Sequence, residues 1–211
     1  MSQALNSVGL DLLFREAHTH TRWLETPVND DTLRALYDLL KWAPTSMNCL
    51  PVRILFLRTP AAKQRLLPAL AEGNIEKTMS APVTAILGYD YDFFAQMPLL
   101  FPQHPTAREM FADAPALTET TAKRNGTLQG GYFILAARAL GLDCGPMSGF
   151  DNVKVDEEFF CAGKPIDPNE KEFFTTGSVR SNFLCNLGYG DPAGVYPRNP
   201  RLEFDEVCKL L

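Results

Sequence analysis

The chain has 211 residues, 45% of them hydrophobic and 21% charged, with a formal net charge of −5. That length suits one domain with a full core, and the negative balance without a basic run argues against a general nucleic-acid binder, which needs clustered Lys and Arg. No apolar run reaches the ~18 residues of a membrane span, and Met1 to Asn6 lack the basic and apolar regions of a secretory signal, so a cytoplasmic protein is expected.

Val8 to Ala17 carries apolar residues at Val8, Leu12, Leu13 and Ala17, the spacing of an amphipathic helix. Asn29-Asp30-Asp31-Thr32 offers N-cap chemistry ahead of Leu33, Leu36, Tyr37, Leu40 and Ala43, and Pro44 ends that helix. Val52 to Leu57 is rich in β-formers and reads as a strand, and Pro60 suits the first turn of a helix through Ala71. Pro82 to Tyr89 is a near-continuous apolar strand, as expected for burial on both faces. Asp90 to Pro115 holds Pro98, Pro102, Pro105 and Pro115 among aromatics and shows no clear period. A lid-like insertion or partner-covering arm is expected there, over about residues 90–117. Thr118 to Leu140 predicts a long helix closed by Gly141, and from Gly130 onward it is apolar nearly all round, as a helix buried in a core or against a partner subunit is. Asp143 to Met147 reads as a short strand, Val155 to Cys161 as a short helix, and Asn182 to Tyr189 as a third strong strand. The tail from Asp191, with Pro192, Pro197 and Pro200, is expected to run extended to a last helical turn near Phe204 to Leu211. Helices alternating with a few strands give an α+β or α/β sandwich in a single domain, 1–211.

The five cysteines include no Cys-x-x-Cys pair, which fits reduced thiols better than a disulfide framework. Cys144 and Cys185 lie in apolar contexts, whereas at Cys49, beside a polar loop, a reactive thiol is the alternative to a structural one. His18, His20 and His104 lack the spacing of metal ligands, so no metal is expected. There is no P-loop, no G-x-S-x-G elbow and no G-x-G-x-x-G, so a nicotinamide has no dedicated domain to occupy.

Short polar segments stand out against this background: His18-Thr19-His20, Pro44-Thr45-Ser46-Met47-Asn48, Asn74-Ile75-Glu76-Lys77, Asn125, Gly145-Pro146-Met147-Ser148-Gly149-Phe150-Asp151, and Arg198. In that order and at those spacings they resemble the flavin-binding positions of the FMN-dependent nitroreductase superfamily. The resemblance implies an α+β, three-layer sandwich with a mostly antiparallel central sheet, assembled as a domain-exchanged homodimer that grips FMN with loops of both subunits. It implies ping-pong hydride transfer with NADPH or NADH as donor. His18, Thr19 and Arg198 would then face the phosphate, and Ala17 stands where the family places an arginine, a departure that weakens this side. Asn74, Lys77 and Asn125 would meet the ring. A cation in the place of Lys77 favours the anionic reduced ring at N1 and O2, and one helical turn separates it from Asn74. Pro44, Thr45, Ser46 and Asn48 would come from the second subunit. Ser148 and Gly149 belong to the turn whose glycine N–H points at N5, where the missing Cβ permits close approach.

Over nearly the whole chain the likeness is closer to one branch, the malonic semialdehyde reductases of bacterial pyrimidine breakdown. Glu25-Thr26-Pro27-Val28, Lys41-Trp42-Ala43-Pro44-Thr45-Ser46, Thr78 to Ala85, Pro98-Leu99-Leu100-Phe101-Pro102, Leu140 to Asp151 and Leu187-Gly188-Tyr189-Gly190-Asp191 carry it. That branch implies reduction of 3-oxopropanoate to 3-hydroxypropanoate. A carboxylate substrate wants a cation, for which His20, Arg22 and Arg108 are the candidates, with His20 also a candidate proton donor. Two other readings use the same flavin residues: a broad nitro- or quinone-reductase, and a flavin-binding protein without enzymatic activity.

Overall fold

The computed structural model describes residues 3–161 and 177–211. Asn6 caps a short helix, α1 (Ser7–Leu10), that widens into a π turn over Asp11–Arg15. Nothing in it is buried, and Val8, Leu12 and Phe14 are exposed, so the apolar stripe of this segment faces outward in the single chain. Helix α2 (Asp30–Leu40) begins where the Asn29 side chain accepts from the Thr32 amide, and it buries Leu33, Leu36 and Leu40. Strand β1 (Val52–Leu57) follows, then α3 (Pro60–Leu66) and α4 (Glu72–Ser80). The helix expected to reach Ala71 thus stops earlier. Pro68 sits in a tight turn over Leu67–Ala69, since it has no N–H to donate back into α3.

Beyond β2 (Val83–Asp90), the proline-rich stretch is ordered rather than aperiodic. A 3₁₀ turn leads into α5 (Met97–Leu100) and α6 (Ala107–Ala112), packed around Phe93, Met97 and Phe111 together with Cys49 and Ala122. Pro98 lies in the first turn of α5 and Pro115 in the first turn of α7 (Pro115–Ala139), positions where a missing N–H leaves no bond unmade. Strand β3 (Asp143–Met147), helix α8 (Asn152–Phe159), strand β4 (Val179–Gly188) and a last turn, α9 (Phe204–Val207), complete the described chain.

The four strands form one antiparallel sheet in the order β1-β2-β4-β3, so β2 and β4 are central and β1 and β3 are the edges. On one face Val83, Ala85 and Leu87 of β2 pack with Phe133, Ala136 and Ala137 of α7. On the other, Ile86 and Leu184 pack with Leu66 of α3 and with Val155 and Phe159 of α8. Cover on both faces is why β2 is apolar throughout. Helix α7 approaches the sheet closely through Gly130, where a Cβ would lie 2.5 Å from the Phe183 ring. Its far side is bare, however: Leu117, Leu128 and Tyr132 are exposed, so this helix is not covered all round within one chain. Among the described residues no helix is long and apolar enough to cross a membrane.

Candidate active site

The polar residues singled out in the sequence gather in three places. The first is a cavity of about 270 Å³ whose lining includes His18, Thr19, Arg138, Arg198, Asn199 and Arg201. The Arg198 guanidinium donates to the carbonyls of Arg15 and Ala17, at 2.5 and 3.1 Å, and lies 3.3 Å from His18 Nε2. Arg138, at the end of α7, donates to the Leu13 carbonyl and thereby ties that helix to the start of the chain. Ala17 therefore does not leave this side without cations, because Arg138 and Arg201 line the same cavity as Arg198. Neither was legible in the sequence: Arg138 closes an apolar helix that marks it only as a terminal residue. Guanidinium groups with hydroxyl and imidazole neighbours suit a phosphate through charge-assisted hydrogen bonds.

The second place lies where β3 ends. The Gly149 carbonyl accepts from the Ala71 amide at 3.0 Å and from Asn74 Nδ2 at 2.7 Å. Asp151 caps α8 through bonds from the Val153 and Lys154 amides, and its own amide donates to the Ala69 carbonyl. Ser148 and Gly149 are exposed on the turn between these ties, while Lys77 is half-buried on α4. Its carbonyl accepts from Trp23 Nε1 at 3.1 Å and from Asn186 Nδ2 at 2.9 Å. Thr84 donates to the other end of the Asn186 amide, fixing its orientation. One turn on, the buried Lys63 ammonium donates to the carbonyls of Thr78 and Ala81. The backbone bearing Asn74 and Lys77 is thus held from β2, β4, α3 and the Trp23 segment at once.

The third place is the turn Ser46–Asn48, at the start of β1, with Met47, Asn48 and Leu50 all in the left-handed region at φ of 51°, 53° and 40°. Strain of that kind persists only where surroundings over-determine it. Here they do: Asn125 Oδ1 accepts from the Ser46 amide, Thr45 Oγ1 from the Leu50 amide, and Asn48 Nδ2 donates to the Leu100 carbonyl of α5. Asn125 is 3% exposed and its NH₂ donates to the Thr121 carbonyl, so it shapes this turn and is not presented to a ring, contrary to the expectation from sequence. Cys49 is fully buried and burial pushes its thiol up to about 11, so the reactive reading fails.

The proposed substrate contacts separate as well. His20 is buried, with Nε2 3.3 Å from Asp143 Oδ1, while Asp143 Oδ2 accepts from the Gly190 amide. A side chain packed in this way offers nothing to a substrate carboxylate, so His20 is withdrawn as a contact and as a proton donor. Arg22 is exposed with its stem against Gly194, and Arg108 is exposed on α6 beside Glu109.

An antiparallel sheet between helical layers, with a cationic cavity and an exposed glycine turn at its rim, defines a nitroreductase-fold protein. The chain belongs to the nitroreductase family, whose sequence profile matches residues 15–165. It is 53% identical over 203 residues to a Cupriavidus pinatubonensis protein with the provisional name NADH dehydrogenase/NAD(P)H nitroreductase, covering 95% of this chain and 96% of that one. A nitroreductase-class protein of Exiguobacterium sibiricum, solved in complex with FMN, shares the fold at TM-score 0.80 and 18% identity, with each chain covered in full. The ydfN protein of Bacillus subtilis shares it at TM-score 0.79 and 17% identity, with 98% of this chain and 100% of that one covered.

Proposed function

We propose that this protein is an FMN-dependent NAD(P)H oxidoreductase that reduces malonic semialdehyde, 3-oxopropanoate, to 3-hydroxypropanoate. The observation that carries the flavin reading is the donor set. A cavity with Arg138, Arg198, Arg201 and His18 suits a phosphate monoester. The turn at Gly149, with its carbonyl engaged and no side chain in the way, suits the approach of a flat heterocycle beside Lys77. When bound, FMN supplies the hydride chemistry at N5, taking from NADPH or NADH and giving to the acceptor. The chain's own residues anchor and polarise: the arginines hold the phosphate end, and Lys77 stabilises negative charge that develops on the ring edge. With His20 paired to Asp143, the proton for the carbonyl oxygen comes from solvent or a ribityl hydroxyl.

The sites call for a second copy of the chain. The strained Ser46–Asn48 turn lies at the β1 edge and the Gly149 turn at the β3 edge. Three interstrand spacings of ~4.8 Å separate these edges by about 14 Å. One ring does not touch both, so the β1-edge turn serves the site of the partner subunit in a homodimer.

Likeness along Lys41 to Ser46, Pro98 to Pro102 and Leu187 to Asp191 motivates the aldehyde, with Arg22 or Arg108 receiving its carboxylate. A KM for 3-oxopropanoate unchanged in Arg22→Ala would remove Arg22. The name of the Cupriavidus relative favours a second reading, a nitro- or quinone-reductase using the same residues. The decisive test is anaerobic absorbance of the FMN-loaded protein. NADPH or NADH should bleach the flavin band, and 3-oxopropanoate should restore it. Restoration by nitroaromatics or quinones alone would select the second reading, and no bleaching with either nicotinamide would end both.

A further inference from the structure

We infer that Asn74 is a positioning residue that aims the Gly149 peptide, and that α4 and the Ser148–Asp151 turn act as one rigid unit. The inference rests on the flavin reading above and deepens it. In the sequence Asn74 reads as a ring contact, but its NH₂ is engaged by the Gly149 carbonyl at 2.7 Å. The same carbonyl accepts from the Ala71 amide at 3.0 Å, and the Asp151 amide donates to the Ala69 carbonyl at 2.8 Å. Three bonds therefore run between residues 69–74 and residues 149–151. Upstream, β3 pairs with β4 as far as Met147 opposite Leu184. Between these anchors lies the Ser148–Gly149 peptide, which carries the Gly149 N–H and whose carbonyl accepts from the Phe150 amide at 3.0 Å.

A peptide pinned on both sides has its N–H direction set before any ligand arrives, which is how a preorganised donor gains its advantage over water. The fit is tight, because a Cβ on Gly149 would lie 2.5 Å from Asn74 Nδ2. Since Lys77 lies on the same helix as Asn74, with its own carbonyl held by Trp23 and Asn186, the Lys77 backbone and the Gly149 peptide keep a fixed mutual geometry. Asn74 is the side chain that joins them.

The test compares wild type, Asn74→Ala, Ala71→Pro and the double variant in FMN dissociation constant and two-electron midpoint potential. Ala71 has φ of −65°, which proline adopts without strain, and the substitution removes the other donor to the same carbonyl. Each single variant should weaken FMN binding about five- to tenfold, the range of one lost hydrogen bond, and move the potential in the same direction. The double variant should fall short of the product, because both act on one acceptor. A shift in Asn74→Ala with Ala71→Pro at wild-type values would make Asn74 a direct ring contact and overturn the proposal. Potentials unchanged in both would overturn it too. A second readout needs no flavin and does not depend on Ala71→Pro folding. The ¹⁵N resonance of the Phe150 amide, whose peptide carries the Gly149 carbonyl, should move upfield in flavin-free Asn74→Ala at unchanged melting temperature. A resonance that stays in place would refute the clamp, whereas wild-type protein that takes up no FMN would refute only the functional reading beneath it.

Discussion

At position 190 a single hydrogen decides whether the His20 ring can seat. The His20 ring lies so close to Gly190 that a Cβ there would stand 1.8 Å from Nδ1, and Asp143 binds both residues at once. The ring is buried and has nowhere to turn, so Gly190→Ala should destabilise the fold by about 2–3 kcal/mol or more, the range of overpacked cores. Urea unfolding would show it, and a loss under 0.5 kcal/mol would mean that the His20 seat is looser than described. Nothing in the sequence marks this pair, since glycine and histidine 170 positions apart carry no shared pattern. Asn125 teaches the converse. Its chemistry was legible, a polar amide on an otherwise apolar helix, but the direction of that amide was not. Which of two neighbours, ring or Ser46 amide, takes a side chain's bonds depends on tertiary placement that residue type does not encode.

At the scale of the element, the strands and α2 follow from period and capping residues, and they lie within a few residues of the expected bounds. The misreadings came from proline. Pro68 breaks one expected helix, and Pro98 and Pro115 open helices where aperiodic chain was expected, because proline's effect depends on which turn of a helix it enters. Helix α4 shows what such breaks allow, since its C-terminal carbonyls are free to be gripped by other elements. Lys63 is the costly part of that grip. The residue is 4% exposed, and burial pushes its ammonium down to about 8 from the ordinary 10.5. Between those two values the unfolded chain binds more protons than the folded one, so stability contributed at this position rises with pH. It is lowest below about pH 8, where both states are charged, and the gain across the window is up to roughly 3 kcal/mol. Between pH 7.5 and 10 the unfolding free energy of wild type should rise relative to that of Lys63→Met by that order. Parallel values would show that the ammonium is not desolvated. The strained turn gives a second expectation at this scale. Asn48→Ala removes the bond to the Leu100 carbonyl and should make the α5–α6 stretch more open to limited proteolysis, with melting temperature lowered by only a few degrees.

Among the described residues, large apolar side chains lie uncovered on three elements. Leu117, Leu128 and Tyr132 line the outer side of α7, Val8, Leu12 and Phe14 lie bare on α1 and its π turn, and Tyr196, Leu202, Phe204, Val207 and Leu210 are exposed along the tail. Exposed apolar side chains in such number suit an interface, and the proposed two-edge division of the cofactor residues supplies a functional reason for one. Dimerisation and flavin binding should therefore be a single event. Leu128→Arg places a charge on the outer side of α7, at a residue 44% exposed. Sedimentation velocity should show wild type at twice the monomer mass and the variant at the monomer mass. FMN affinity should fall at least tenfold in the variant, because the Ser46–Asn48 turn of the partner is then missing from each site. Circular dichroism should stay at the wild-type level, since the residue belongs to none of the three hydrophobic clusters. A monomeric variant that keeps wild-type FMN affinity would mean that one chain builds the whole site, and the division of the site between the β1 and β3 edges would lose its functional meaning.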